Sequence, residues 1–206
     1  MVYNGIHDLK PSFQADAALK GALGISDQDL VFGTISRLDP IKNQSMMIRS
    51  FAQVNRKHSQ AKLLMVGDGP IRAELESLVS ELGLNENIIF TGFQVNPQRY
   101  LALMDIFLLS SLSEGTSMTL LEAMSFHKPC VVTDAGGNPE IVLHEETGLV
   151  SKNEDEAAFA ESMMRLVEDE SLRMKLGDTG RKRYEEYFSV SSMANQYEAI
   201  YEGLAG

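Results

Sequence analysis

Short apolar runs that do not alternate, each separated from the next by a segment with helical spacing, constrain this chain more than any other feature. LVFGTIS (30–36), KLLMVG (62–67), NIIFTG (87–92), DIFLLSS (105–111), PCVVTD (129–134) and GLVS (148–151) lack the two-residue alternation of a half-exposed strand. Such strands are buried on both faces, which requires a parallel sheet covered by helices. Between them lie helical patterns at 45–58, 70–82, 97–104, 117–126 and 139–144, and three more close the chain at 154–168, 170–186 and 190–203. Pro70 stands near the first turn of its helix and Gly83 just past its end, as helix boundaries favour. This order predicts an α/β fold with a doubly wound, six-stranded parallel sheet of Rossmann-like kind. Residues 1–29 are less regular and read as a lead-in; residues 30–206 form the domain, closing helices included.

The 206 residues allow one domain or a little more, and 44% hydrophobic residues suffice for a full core. A formal charge of −11 argues against nucleic acid and anionic membrane surfaces, but leaves room for a small anionic ligand held by a few local cations. No apolar run reaches the length of a membrane span, and MVYNGIHDLK lacks the apolar centre of a signal peptide. Cys130 is the single cysteine and lies in a strand, so a reducing, cytoplasmic compartment is expected. The four histidines are scattered without ligand spacing, so no metal is expected.

If the strand order is 3-2-1-4-5-6, the chain reverses direction between the first and fourth strands, and ligands bind in the crevice formed there. Its walls are the loops Arg37-Leu38-Asp39-Pro40-Ile41-Lys42 and Glu114-Gly115-Thr116-Ser117. Glu114 follows the fourth strand, Glu122 lies eight positions on, and Thr116 or Ser117 can cap the helix between them. The N–H groups of that helix start suit a phosphate. Two ionised carboxylates can hold sugar hydroxyls, since each accepts hydrogen bonds at both oxygens. The alternative is that both glutamates, like Arg37 and Lys42, are ordinary solvated charges. Gly67-Asp68-Gly69-Pro70 is no dinucleotide fingerprint, because Arg72 stands where the third glycine belongs. Gly67 and Gly69 make either a tight turn alone or a turn beside a ligand. Gly136 and Gly137, within TDAGGNPE, let a ligand or a neighbouring loop approach the backbone closely, or form a plain turn.

RLDPIK, VGDGP, EGTSMTLLE and TDAGGNPE, in this order, resemble the donor-binding, C-terminal half of retaining glycosyltransferases of family 4, which have the two-domain GT-B fold. The resemblance runs from about Tyr3 to the C-terminus. It implies that Arg37 and Lys42 bind the donor diphosphate, together with the backbone of Ser117, Met118 and Thr119. It also implies that Glu114, with Gly115 and Thr116, meets the transferred sugar at the catalytic centre, positioning it without acting as nucleophile. Glu122 is implied to bind the ribose, and the loop at Gln94 and Val95 to meet the nucleobase. Three positions depart from the common pattern: Thr116-Ser117-Met118 replace an aromatic-Gly-Leu segment, Ser36 a Gly before the Arg, and Asn43 a Gly after the Lys. The implied reaction moves a hexosyl unit from a nucleotide sugar, expected to be UDP-linked, to a glycan or lipid-linked acceptor, without cofactor or metal. The acceptor domain that would precede this half is absent from the chain, so the fragment alone should be inactive. The whole protein would work in the cytoplasm, extending to the inner face of the membrane. A nucleotide-sugar epimerase of GT-B architecture and a non-catalytic nucleotide-sugar-binding domain are the alternatives.

Overall fold

The computed structural model describes residues 3–9 and 16–205; the remainder of the expected lead-in lies outside the described residues. Six parallel strands form one sheet: β1 (Leu30–Ile35), β2 (Ala61–Val66), β3 (Ile88–Gly92), β4 (Ile106–Leu109), β5 (Cys130–Thr133) and β6 (Gly148–Ser151). Their order is β3-β2-β1-β4-β5-β6, the doubly wound order expected from the sequence. Nine helices accompany them among the described residues: α1 (Ala17–Ala22), α2 (Gln44–Asn55), α3 (Arg72–Glu81), α4 (Gln98–Leu101), α5 (Met118–Ser125), α6 (Asn138–Ile141), α7 (Glu156–Glu168), α8 (Glu170–Arg183) and α9 (Val190–Ala205). A 3-10 turn, Pro40–Lys42, precedes α2, and a π-helical turn, Tyr184–Phe188, separates α8 from α9.

The absence of alternation in the strands has its cause in two cores. Phe32, Leu63, Met65, Leu108 and Val131 face one core with α2, α3 and α7. Val31, Leu64, Val66, Phe107 and Val132 face the other with α4, α5 and the rings of Tyr184 and Phe188. Full burial of each such side chain contributes about 1.5–3 kcal/mol. Cys130 is fully buried in β5, and desolvation pushes its thiol up to about 12, so it stays an unreactive core residue at neutral pH.

Several boundaries differ from the sequence expectation. The helix expected from Pro70 begins at Arg72, because Gly69 is pressed against the loop after β1: a Cβ there would stand 2.1 Å from Leu38 O. The helix expected at 97–104 stops at Leu101. The one expected at 170–186 changes to the π-helical turn at Tyr184, where the chain meets Ile6: Ile6 N–H donates to Phe188 O at 2.9 Å, and Val190 N–H donates to Ile6 O at 3.1 Å. The lead-in also holds α1, which Asp16 caps by accepting from the N–H groups of Ala18 and Leu19. Among the described residues no helix is long and apolar enough to cross a membrane.

Candidate active site

The reversal between β1 and β4 brings the two expected loops together. β4 runs into Ser110 and Ser111, both fully buried. Ser110 Oγ donates to the carbonyls of Lys42 and Asn43 at 2.9 and 3.0 Å, fastening the end of the β1 loop to the end of β4. Lys42 closes the 3-10 turn that Asp39 caps by accepting from Ile41 N–H at 3.2 Å. Asn43, which stands where the resemblance expects Gly, has a φ of 48°. Asn is one of the few residues that tolerate this left-handed conformation, so the replacement keeps the turn.

Glu114 is the centre of the crevice. Its Oε1 accepts from Lys42 Nζ at 2.6 Å and from Ser111 Oγ at 2.6 Å. Only 9% of its side chain is exposed, against 25% for Lys42, so the ion pair is screened little by water. Among the described residues no donor reaches Oε2. Arg37 is placed differently: its side chain is 70% exposed, and its Nε stands 3.7 Å from Asp39 Oδ2. Its backbone is fixed from beneath, because buried Gln44 donates to Arg37 O at 2.8 Å and to Ser36 Oγ at 3.1 Å.

The helix start is more open than expected. Ser117 occupies the N-cap position of α5, but its side chain caps nothing; its Oγ pairs with Thr119 Oγ1 at 3.2 Å. The first N–H groups of α5 are thus left without an intrahelical or side-chain partner, as a bound anion requires. Thr119 also lines a cavity of about 450 Å³ whose other walls include Ser36, Arg37, Gly67, Phe93 and Gln94. Gln94 is braced there by donating to Thr91 O at 2.8 Å, whereas Val95 is 82% exposed and stands outside the lining. Gly115 and Thr116 belong to the loop that leads from Glu114 to Ser117, and Met118 is half-exposed at the helix start.

Glu122 lies three residues beyond Thr119 on α5. Burial pushes its carboxyl above the usual carboxylate range, and one hydrogen bond, from Gln98 Nε2 at 3.3 Å, counters this in part. A half-buried carboxyl with a single neutral donor has acceptor capacity to spare.

The four glycines are answered by neighbouring loops. A Cβ on Gly67, whose φ is 137°, would stand 2.0 Å from Ser36 O. A Cβ on Gly136, at φ 53°, would stand 1.8 Å from Glu114 O, and one on Gly137 2.6 Å from Gly115 O. Gly137 N–H donates to Glu114 O at 3.3 Å. Each crevice loop is therefore backed by the glycine turn of the strand next outward. Sequence reasoning did not single out Ser111, Gln44, Gln98 or Phe93. Ser111 ends the apolar run before Glu114 and was locally visible; Gln98 meets Glu122 from a separate helix and left no local signal. Among the described residues no group of three or more His, Cys, Asp or Glu side chains stands together as metal ligands would.

The doubly wound sheet is the architecture that this chain shares with glycosyltransferases of the GT-B kind among its structural neighbours. The chain belongs to the family described as glycosyl transferases group 1, whose model matches residues 16–183. Among curated relatives, N-acetyl-alpha-D-glucosaminyl L-malate synthase of Bacillus anthracis is 35% identical over 97% of this chain and 52% of its own length. Anabaena HepE, solved in complex with UDP, superimposes with a TM-score of 0.88 at 25% identity, over 98% of this chain and 57% of that one. The C-terminal domain of the group 1 protein LpcC from Francisella tularensis matches with a TM-score of 0.78 at 22% identity, over 90% of this chain and all of that one. The chain spans about half the length of the curated relatives it matches.

Proposed function

We propose that this chain is the donor-binding half of a retaining, metal-independent glycosyltransferase of family 4 that uses a UDP-sugar. The observation that carries this reading is the Lys42–Glu114–Ser111 cluster, at the start of the loop that leads from Glu114 into an uncapped helix start whose Thr119 lines a cavity with Arg37 and Gln94. Arg37, Lys42 and the N–H groups of Met118 and Thr119 surround the place where a diphosphate would lie. Preorganised positive groups there stabilise the charge that develops on the leaving diphosphate. The Glu114 carboxylate orients the sugar through its hydroxyls, with Lys42 and Ser111 holding it in one rotamer. Glu122 accepts from the ribose, and Gln94 stands nearest the base.

The UDP in the HepE complex supports the choice of nucleotide. The α linkage in the name of the Bacillus anthracis relative is what retention yields from an α-linked donor. The acceptor would be a glycan or lipid-linked and would sit on a domain that precedes this one in the whole protein, working at the cytoplasmic side. An epimerase is not favoured, because the family is one of transferases.

Titration calorimetry of the chain with UDP, ADP, GDP and a panel of UDP-sugars, each with and without EDTA, tests the reading. Weak, EDTA-insensitive, UDP-selective binding without sugar transfer is expected from the chain alone. Transfer by this chain by itself, or loss of binding in EDTA, would sink it.

A further inference from the structure

Away from the crevice, one polar cluster satisfies almost every donor of an arginine. Arg181, in the last turn of α8, keeps only 14% of its side chain exposed. Its Nη1 donates to Asp8 Oδ1 at 2.8 Å and to Ser125 O at 2.6 Å. Its Nη2 donates to Asp8 Oδ2 at 2.6 Å, and its Nε to Glu185 Oε1 at 2.7 Å. A planar fork with this many partners has one orientation, which a lysine ammonium could not reproduce.

The partners join three places. Ser125 is the last residue of α5, so Arg181 satisfies a terminal carbonyl and sets a cation against the negative end of the helix. Asp8 belongs to the segment that pairs with the π-helical turn, where Tyr184 Oη also donates to Ile6 O at 2.9 Å. Turns of this type are frequent at functional sites. Gly177 lets α8 lie directly on the residue group after α5, since a Cβ there would stand 2.2 Å from His127 O. Arg183 repeats the arrangement at α6, donating to the carbonyls of Glu140 and Ile141 at 2.8 and 3.0 Å.

An eight-residue helix such as α5 is too short to hold its own course and takes its direction from the core against which Leu120, Leu121 and Met124 pack and from what grips its ends. Its N-terminal end has no side-chain cap, whereas at its other end Ser125 O accepts from Arg181. We infer that Arg181, oriented by Asp8, is a positioning residue for the donor site: it fixes the end of α5 and through it Glu122, so that segment 3–9 and the π-helical turn govern nucleotide affinity. The inference rests on the donor-site reading above.

Arg181→Lys and Asp8→Asn in the full-length protein test it, with UDP titrations in the native and Glu122→Gln backgrounds and amide hydrogen exchange resolved by helix. Arg181→Lys should weaken UDP about five- to tenfold in the native background and less than about twofold with Glu122→Gln, since residues acting through one network are non-additive. Asp8→Asn should act in the same direction and less. Exchange should quicken in α5 with α7 unchanged. Equal losses in both backgrounds, or α5 exchange left as it was, would overturn the inference. So would exchange quickened uniformly with a lowered melting point, the mark of a general structural role. If the native protein binds no nucleotide, the donor-site reading fails, and α5 exchange still decides whether Arg181 positions the helix.

Discussion

Removing one partner from the Lys42–Glu114 pair should destabilise the domain unequally. In Lys42→Met, Glu114, whose side chain is 9% exposed in the native pair, keeps only Ser111 as donor. The lost bond is charge-assisted and worth about 1.5–3 kcal/mol. Stranding a buried charge brings the cost to about 3–5 kcal/mol when the pair is fully dry, and the 25% exposure of Lys42 argues for less, about 2–3 kcal/mol. In Glu114→Gln the ammonium can turn to water, so that variant should lose less than about 1 kcal/mol. For a domain of this size, Lys42→Met should lower the melting midpoint by about 4–12 °C and Glu114→Gln by less than about 4 °C. The double variant should recover part of the loss, with a coupling energy of at least about 1 kcal/mol. Nucleotide binding should separate them further. Lys42→Met should weaken UDP about tenfold or more. Glu114→Gln should leave UDP unchanged or tighter, because it releases Lys42 from a competing carboxylate, while donor turnover in the full-length enzyme falls. Differential scanning calorimetry and UDP titration of the three variants measure both effects. A larger loss in Glu114→Gln than in Lys42→Met, or strictly additive losses, would refute the reasoning.

Glu122→Gln should raise the melting midpoint and weaken UDP. The folded carboxyl holds its proton above the ordinary value of 4.5, so stability is greatest below that value and declines as pH rises through the raised one. At neutral pH the Gln variant removes that burden, and a midpoint equal to or below the parent's counts against it. By the same sign, ribose hydroxyls favour the ionised form, so UDP affinity should rise with pH across that window, and calorimetry at several pH values would see a flat profile if Glu122 were not in contact. Arg37→Ala should cost about tenfold in UDP affinity with the melting midpoint unchanged, since its side chain is 70% exposed; a fall in stability without loss of affinity would move Arg37 out of the site. Gly136→Ala carries a left-handed strain of about 1–2 kcal/mol and forces Glu114 O away, so turnover in the full-length enzyme should fall about a hundredfold with UDP affinity little changed. Unaltered turnover would show that the Glu114 loop tolerates the shift.

The sheet was legible because burial on both faces writes itself into consecutive residues: all six apolar runs became strands. The assumed strand order, on which the crevice depended, is the observed one. Helix ends were less legible, because tertiary contacts set them. Gly69 against Leu38 delays α3, and Ile6 against Phe188 and Val190 accompanies the break in the last helices. The geometry of the candidate site was legible where the loops after β1 and β4 bring their groups together, as with Lys42 and Glu114. It was not where a partner arrives from a separate element, as Gln98 does for Glu122. The expected cap at Thr116 or Ser117 does not form: Ser117 takes the N-cap position, but its hydroxyl pairs with that of Thr119.

A Cβ added to any of the glycine turns would meet main-chain atoms of the crevice loops, at Ser36, Leu38, Glu114 and Gly115. What they demand of those loops is a path, not a side chain. Thr116, Ser117 and Met118 could therefore change identity while the scaffold beneath them keeps its shape. Four glycines would have to stay as they are so that three neighbours can drift; on the donor-site reading, donor preference could then change by single substitutions without refolding the domain.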